Sequence, residues 1–567
     1  MWSASVHGIE GQSATLDRMS SDMHEAQPPD TSPFATHAAA YLDELFADRP
    51  SFATFQGVDG QDDLSPDLSA EAFVDRERRA DGWLERFAEM DDALLDADQR
   101  IDRDLVVSVL RGEQVRRDWH DWQRNPDSYL GPALMGVFSL FLRRPLPEPE
   151  LAAAAETRLR AIPGMLEAGR ANLDADLAAE VLVRRAQGQC AAGETYARDL
   201  VPAEVDDPAL QARLAEAGEV AAEAFRAFGT FLDDLAERAS GEWAIGEKRY
   251  SALLRDAELL SYDAPGLHQK GRDLWSGLDA EMTALAGEID PAASGWPAVV
   301  EACGENRPAT PEEMRDAYAA ETERCRAFLV ERELVSFVDG ERCEVVPSPP
   351  FQRPVLAVAS YFQPPAFKPS RVGRFNVPYP PDGTPADDVA KRLADNGHHV
   401  IPTITAHEAY PGHHWHLTTM LSAPPLRQVH RSAYFTEGWG LYAERLMHEQ
   451  GYFAERRDTL MHLNMRIFRA ARIVVDTALH CGEMTVDEAI THMQERAGMT
   501  EPVARAEVLR YCAWPTQAAS YLTGCLEIER MRDRWMSEGR GDLRSFHDTI
   551  AATGGLPIAL AERATFA

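Results

Sequence analysis

The stretch His407-Glu408-Ala409-Tyr410-Pro411-Gly412-His413-His414-Trp415-His416 puts four of the chain's 17 histidines within ten residues. A neutral imidazole is the commonest transition-metal ligand, and a Glu directly after a ligand His is how zinc hydrolases place their base. In an HExxH helix the two His are four residues apart and about 40° off in phase, so both face one ion. Here Pro411 occupies that fourth position. Proline cannot donate to the His407 carbonyl and clashes with it, so the helix must kink or bulge there. In an unbroken helix His413 would lie about 240° out of phase with His407. His414 would be nearly in phase but about 10 Å further along the axis. A Pro-Gly bulge that absorbs two residues makes His413 the second ligand, with His414 as the reserve.

Reading outward, Tyr434-Phe435-Thr436-Glu437-Gly438-Trp439-Gly440-Leu441-Tyr442-Ala443-Glu444 sets carboxylates in an aromatic run. A carboxylate there is costly to bury unless it is paired or ligates a metal. Glu437 follows His413 by 24 residues, room for one helix, a turn through Ala423-Pro424-Pro425 and a second antiparallel helix. That returns Glu437 to the His pair as third ligand, and three protein ligands plus a water make an open, catalytic zinc site. Glu444, seven residues on, shares its helical face and is expected to support a ligand from behind. Arg472, Asp476 and His480 recur every four residues on one face of a long helix that also carries Arg469. The functional reading has His480 donating to an oxyanion and Arg469 or Arg472 clamping a substrate carboxylate; the plain alternative is a salt-bridge ladder. Tyr521 is placed to polarise a scissile carbonyl or, equally, to pack in a core.

These readings favour a zinc-dependent hydrolase of peptides or amides, with Glu408 as base and carboxypeptidase or dipeptidase action preferred if an arginine faces the cleft. Two rivals use the same residues. Two His and one carboxylate also form the facial triad of non-haem Fe(II) oxygenases. A non-catalytic helical binding protein with a degenerate site is the other, and Pro411 is its best support.

The rest of the chain bounds the answer. With 92 Asp+Glu against 57 Lys+Arg the formal charge of the 567 residues is −35. Phosphate binding works through Lys/Arg neutralisation, so no nucleic-acid partner and no anionic membrane surface are expected. No apolar run approaches the roughly 20 residues of a membrane span. The N-terminus has no basic segment followed by an apolar one, so a secretory signal is not expected. The seven cysteines are dispersed without CxxC, in keeping with a reducing, cytoplasmic setting. No glycine-rich phosphate loop sits between a strand and a helix.

Residues 1–36 read as a disordered tail. From 37 to about 295, apolar residues recur at three- and four-residue spacing, the mark of a helical scaffold. Between about 345 and 402 the chain is proline-rich, with strand-like pieces at Val355–Phe362 and Arg374–Tyr379 that proline confines to sheet edges. From Thr403 it is helical again. The expected fold is mainly α: one large domain, 37–567, with a scaffold lobe to about 300 and a catalytic lobe from 301, two helical lobes around a cleft bordered by a small edge sheet.

HEAYPGHHWH, FTEGWGLYAERL (435–446), RAARIVVDTALH (469–480) and PTQAASYLTG (515–524) resemble the signature blocks of the domain-of-unknown-function 885 family. RAIPGMLEAGRANL (160–173) and the block around Ala244-Ile245-Gly246 resemble it too, so the likeness spans roughly 37–560. The resemblance implies a gluzincin-like metallopeptidase fold, similar in outline to thimet oligopeptidase and thermostable metallocarboxypeptidases. Carried over, His407, His413 and Glu437 bind one Zn²⁺ per chain, Glu408 is the base, and one of the two strand-like pieces lines the substrate cleft.

Overall fold

The computed structural model describes residues 32–567 apart from 351, 354–357 and 382. Most of the expected tail, residues 1–31, lies outside the described residues. Its last part is helix instead. Ser32 accepts a hydrogen bond from the Ala35 N–H at 3.1 Å, and Pro33 opens the helix Pro33–Asp48. A serine cap followed by proline at the first helical position satisfies the free N–H groups, so the helix starts before Thr36.

The chain is mainly α with one small sheet, as its periodicity predicts. Six helices carry or back the candidate site: α1 (Ala264–Ile289), α2 (Ile401–Glu408), α3 (His413–Thr419), α4 (Ala433–Glu449), α5 (Arg456–Cys481) and α6 (Ser520–Ser537). Elsewhere the helix Pro208–Ala236, capped by Asp207, runs against Glu148–Asn172 and Glu180–Thr195. Leu159, Phe225, Phe228 and Leu232 fill the space between them.

That core draws on residues 68–236 and is distinct from a larger one, in which Phe34–Leu110 joins residues between Ile245 and Ala561. The lobe boundary expected near residue 300 is therefore not where the packing divides. α1 lies along α5, and the N-terminal helices share a core with the C-terminal half. Apolar burial is non-directional and indifferent to sequence distance, so helical periodicity alone does not say which stripes meet.

The sheet has three strands: β1 (Arg342–Pro347), β2 (Ser360–Phe362) and β3 (Val372–Val377), in the order β1-β3-β2. β3 pairs parallel with β1, Val345 opposite Phe375, and antiparallel with β2, Tyr361 opposite Phe375. The piece expected at Arg374–Tyr379 starts two residues earlier and stops before Pro378. It is the central strand, not an edge, because its proline falls just outside the ladder. The piece expected at Val355–Phe362 is reduced to β2; 355–357 lie outside the described residues.

Candidate metal centre

The proline acts more strongly than a bulge: it ends the helix. α2 stops at Glu408, where the Ala409 N–H closes the last turn on the Thr405 carbonyl at 2.8 Å. A four-residue loop with a cis Tyr410–Pro411 peptide follows, and α3 begins at His413. The indole of Trp439 donates to the Pro411 carbonyl at 2.8 Å and ties the loop to α4. The break frees His413 from the helical phase of His407. Their rings meet edge to face, centroids 4.7 Å apart.

Glu437 arrives from the first turns of α4. Its Oε2 lies 3.6 Å from His407 Nε2 and 3.5 Å from His413 Nε2. All three ligand atoms are within 4.8 Å of one another. Donor atoms held about 2.1 Å from one tetrahedral ion lie about 3.4 Å apart, so the spacing fits zinc, whereas it exceeds a normal hydrogen bond. The donor set, two imidazoles and a carboxylate, suits the same ion. Among the described residues His413 Nδ1 is buried without a partner, while His407 Nδ1 is held by Glu444 Oε1 at 2.8 Å. That bond engages Nδ1 and leaves Nε2 as the nitrogen that faces Glu437. The other Glu444 oxygen faces His462 Nδ1 at 3.6 Å.

α4 can approach this closely because of its glycines. A Cβ on Gly440 would stand 2.5 Å from His407 Cε1. Gly438 and Gly524 face each other where α4 crosses α6, and a Cβ on Gly524 would lie 1.7 Å from the Tyr434 carbonyl oxygen.

Carboxylates crowd the histidine pair. Three carboxylates, Glu408, Glu437 and Glu444, surround the two imidazoles. Burial pushes Glu437 up, but the facing His407 and His413 rings more than offset this and hold it well below the usual range. Burial also works on Glu444, and bonds from His407 and His462 bring it to about 2. For Glu408 burial wins over the neighbouring imidazoles and its pKa is raised. Neither a hydrogen bond nor an ion pair ties down its carboxylate among the described residues.

Not every expected residue joins the centre. His414, the reserve ligand, points away: Glu341 accepts at 2.8 Å from its Nε2, and the Tyr361 hydroxyl meets its Nδ1 at 2.9 Å. His480 is fully buried and serves the backbone, its Nε2 on the Tyr511 carbonyl at 3.0 Å and its Nδ1 facing the Ile245 N–H at 3.4 Å. It therefore has no donor to offer an oxyanion, because both nitrogens are engaged. Arg472 is paired with Glu507 at 2.7 Å and with the Tyr511 hydroxyl, which leaves it no free fork for a substrate carboxylate. Arg469 lies nearer: its guanidinium bonds Met465, and its charge is felt by Glu408 and Glu444. Tyr521 feels the charge of Glu437; its hydroxyl takes a long 3.5 Å contact from Gln517, and the guanidiniums of Arg472 and Arg469 lie 4.7 and 5.7 Å over its ring. Sequence reasoning missed His462, Glu341 and Tyr361, which reach the site from distant segments and carry no local motif.

Two solved structures share the fold. A candidate lipoprotein of unknown function from Shewanella oneidensis is 19% identical with a TM-score of 0.76, over 94% of this chain and 100% of that one. A candidate lipoprotein from Colwellia psychrerythraea is 20% identical with a TM-score of 0.80, over 94% and 99%. No curated protein matches. Among the described residues no helix is long and apolar enough to cross a membrane. The family comparison spans residues 50–564, from the N-terminal helices through the His and Glu segments of the centre, and the chain belongs to DUF885, bacterial proteins of unknown function.

Proposed function

We propose that this protein is a zinc-dependent hydrolase of peptide or amide bonds with a gluzincin-like centre. The observation that carries the reading is the convergence of His407, His413 and Glu437 within 4.8 Å beside an untethered Glu408. His407, His413 and Glu437 would hold the zinc, which would supply Lewis acidity and a water acidified toward neutral pH. Glu408 takes the proton of the attacking water and returns it to the leaving amine, so a raised carboxyl pKa suits its double role. The Tyr521 hydroxyl, kept neutral by burial and the charge of Glu437, is the donor left for the oxyanion. Glu444 keeps His407 in its ligating tautomer. An oxygenase has no use for a free carboxylate adjoining the first ligand, which favours hydrolysis.

Metal analysis with four variants tests this. About one zinc per chain is expected in the wild type, lost in Glu437→Ala and His413→Ala and kept in His414→Ala. Glu408→Gln should keep zinc and lose about 10²–10⁴-fold in hydrolysis. A zinc-free wild type, or an unchanged Glu408→Gln rate, overturns the proposal.

A further inference from the structure

Among the described residues two arginines, Arg143 and Arg431, have no counter-ion. Arg143 ends the helix Asp127–Arg143, its guanidinium 4.1 Å over the Phe55 ring. Nε donates to the Phe55 carbonyl at 2.8 Å and Nη1 to the Gln363 carbonyl at 2.5 Å, while Nη2 is buried without a partner. Arg431 donates to the side-chain oxygen of the same Gln363. Gln363 is 4% exposed, and its Nε2 is unpartnered. Burial pushes both guanidiniums down to about 10. No carboxylate acts on either, and on Arg143 the charges of Arg431 and Arg374 add to the effect.

Two like charges side by side in a partly buried place are costly unless an anion joins them. The chain has 92 acidic residues against 57 basic ones, yet none of the described ones pairs with either arginine. Gln363 lies two residues beyond Tyr361, whose hydroxyl bonds His414, the neighbour of His413. Arg431 precedes Glu437 by six residues, most of them in α4, a backbone separation on the order of 10 Å. An extended peptide covers that distance in about three residues.

Resting on the hydrolase reading, we propose that Arg143, Arg431 and the Gln363 amide form a subsite for the free C-terminal carboxylate of a peptide substrate, so that a di- or tripeptide is released from the C-terminus. The unpartnered Arg143 Nη2 and Gln363 Nε2 supply donors, and the two guanidiniums supply the charge that makes such bonds strong.

The test uses the zinc-loaded full chain, an N-blocked tetrapeptide acid and its C-terminal amide. The acid should exceed the amide in kcat/KM by about 100-fold, and the ratio should collapse in Arg431→Gln and Arg143→Gln and partly recover in Arg431→Lys. Calorimetry on Glu408→Gln, without turnover, should show the acid binding about tenfold or more tighter than the amide, a preference lost when Arg431→Gln is added. Equal binding of acid and amide overturns the subsite whatever the activity. So does inorganic phosphate occupying the pair with no acid preference among peptides, which assigns it to a free anion. Preference through Arg431 without hydrolysis of either peptide keeps the subsite and overturns the hydrolase reading.

Discussion

His407 can ligate only through Nε2, because its Nδ1–H is engaged by Glu444 at 2.8 Å. Glu444 is itself 1% exposed, and no carboxylate is buried so deeply without a charge-assisted partner. Its removal should loosen His407 without deleting a ligand. Glu444→Gln is therefore expected to weaken zinc binding by about 10–100-fold, read by competition against a chromogenic chelator. An affinity equal to wild type would show that the tautomer is set elsewhere. At this scale the legible residues are those whose chemistry is local: Pro411 announces the break, and the spacing to Glu437 and Glu444 announces their return. His414, His480 and Arg472 were not legible because a side chain's partner decides its role. Those partners, Glu341, Tyr361, Ile245 and Glu507, lie 35 or more residues away in sequence and become neighbours only on folding.

α4, which carries Glu437, touches α6 backbone to backbone at Gly438 and Gly524. A methyl on Gly524 would stand 1.7 Å from the Tyr434 carbonyl oxygen, so the two helices must separate or bend. Gly524→Ala is expected to cost about 1–3 kcal/mol in urea unfolding, and to weaken zinc binding as Glu437 moves with α4. Gly287→Ala on α1, where an added Cβ meets nothing within 4 Å, is the control and should stabilise by about 0.5–1 kcal/mol. Equal effects of the two substitutions would remove the close-packing argument. Helical periodicity made most of these elements readable, α4 and α5 above all. β1 was not, since its half-buried residues show no alternation. The central place of β3 was not either, because proline argues for an edge only when it falls inside the ladder.

On the scale of the molecule, the large core encloses histidines that folding keeps neutral. Burial pushes His416 and His430 down to about 3, and His462, His480 and His547 down to about 4, all from 6.5. Between those values and 6.5 the unfolded chain binds more protons than the folded one, so stability is full above pH 6.5 and falls as the pH drops toward 4. Asp476 acts in the opposite sense: burial raises it to about 7, and it favours the folded state increasingly as the pH falls from 7 toward 3.8. Five histidines less one aspartate leave four protons, and each is worth about 1.4 kcal/mol per pH unit. The share of these six groups in the slope of unfolding free energy against pH should therefore approach about 5 kcal/mol per unit near pH 5. Urea unfolding at pH 6.5, 5.5 and 4.5 measures it. A flat profile across that range would mean that these rings find charge partners on protonation; His547→Gln tests one directly, because an amide at that position still meets the Tyr442 hydroxyl and the Leu334 carbonyl that now hold the ring at 2.7 and 2.8 Å, and should reduce the slope by about one proton.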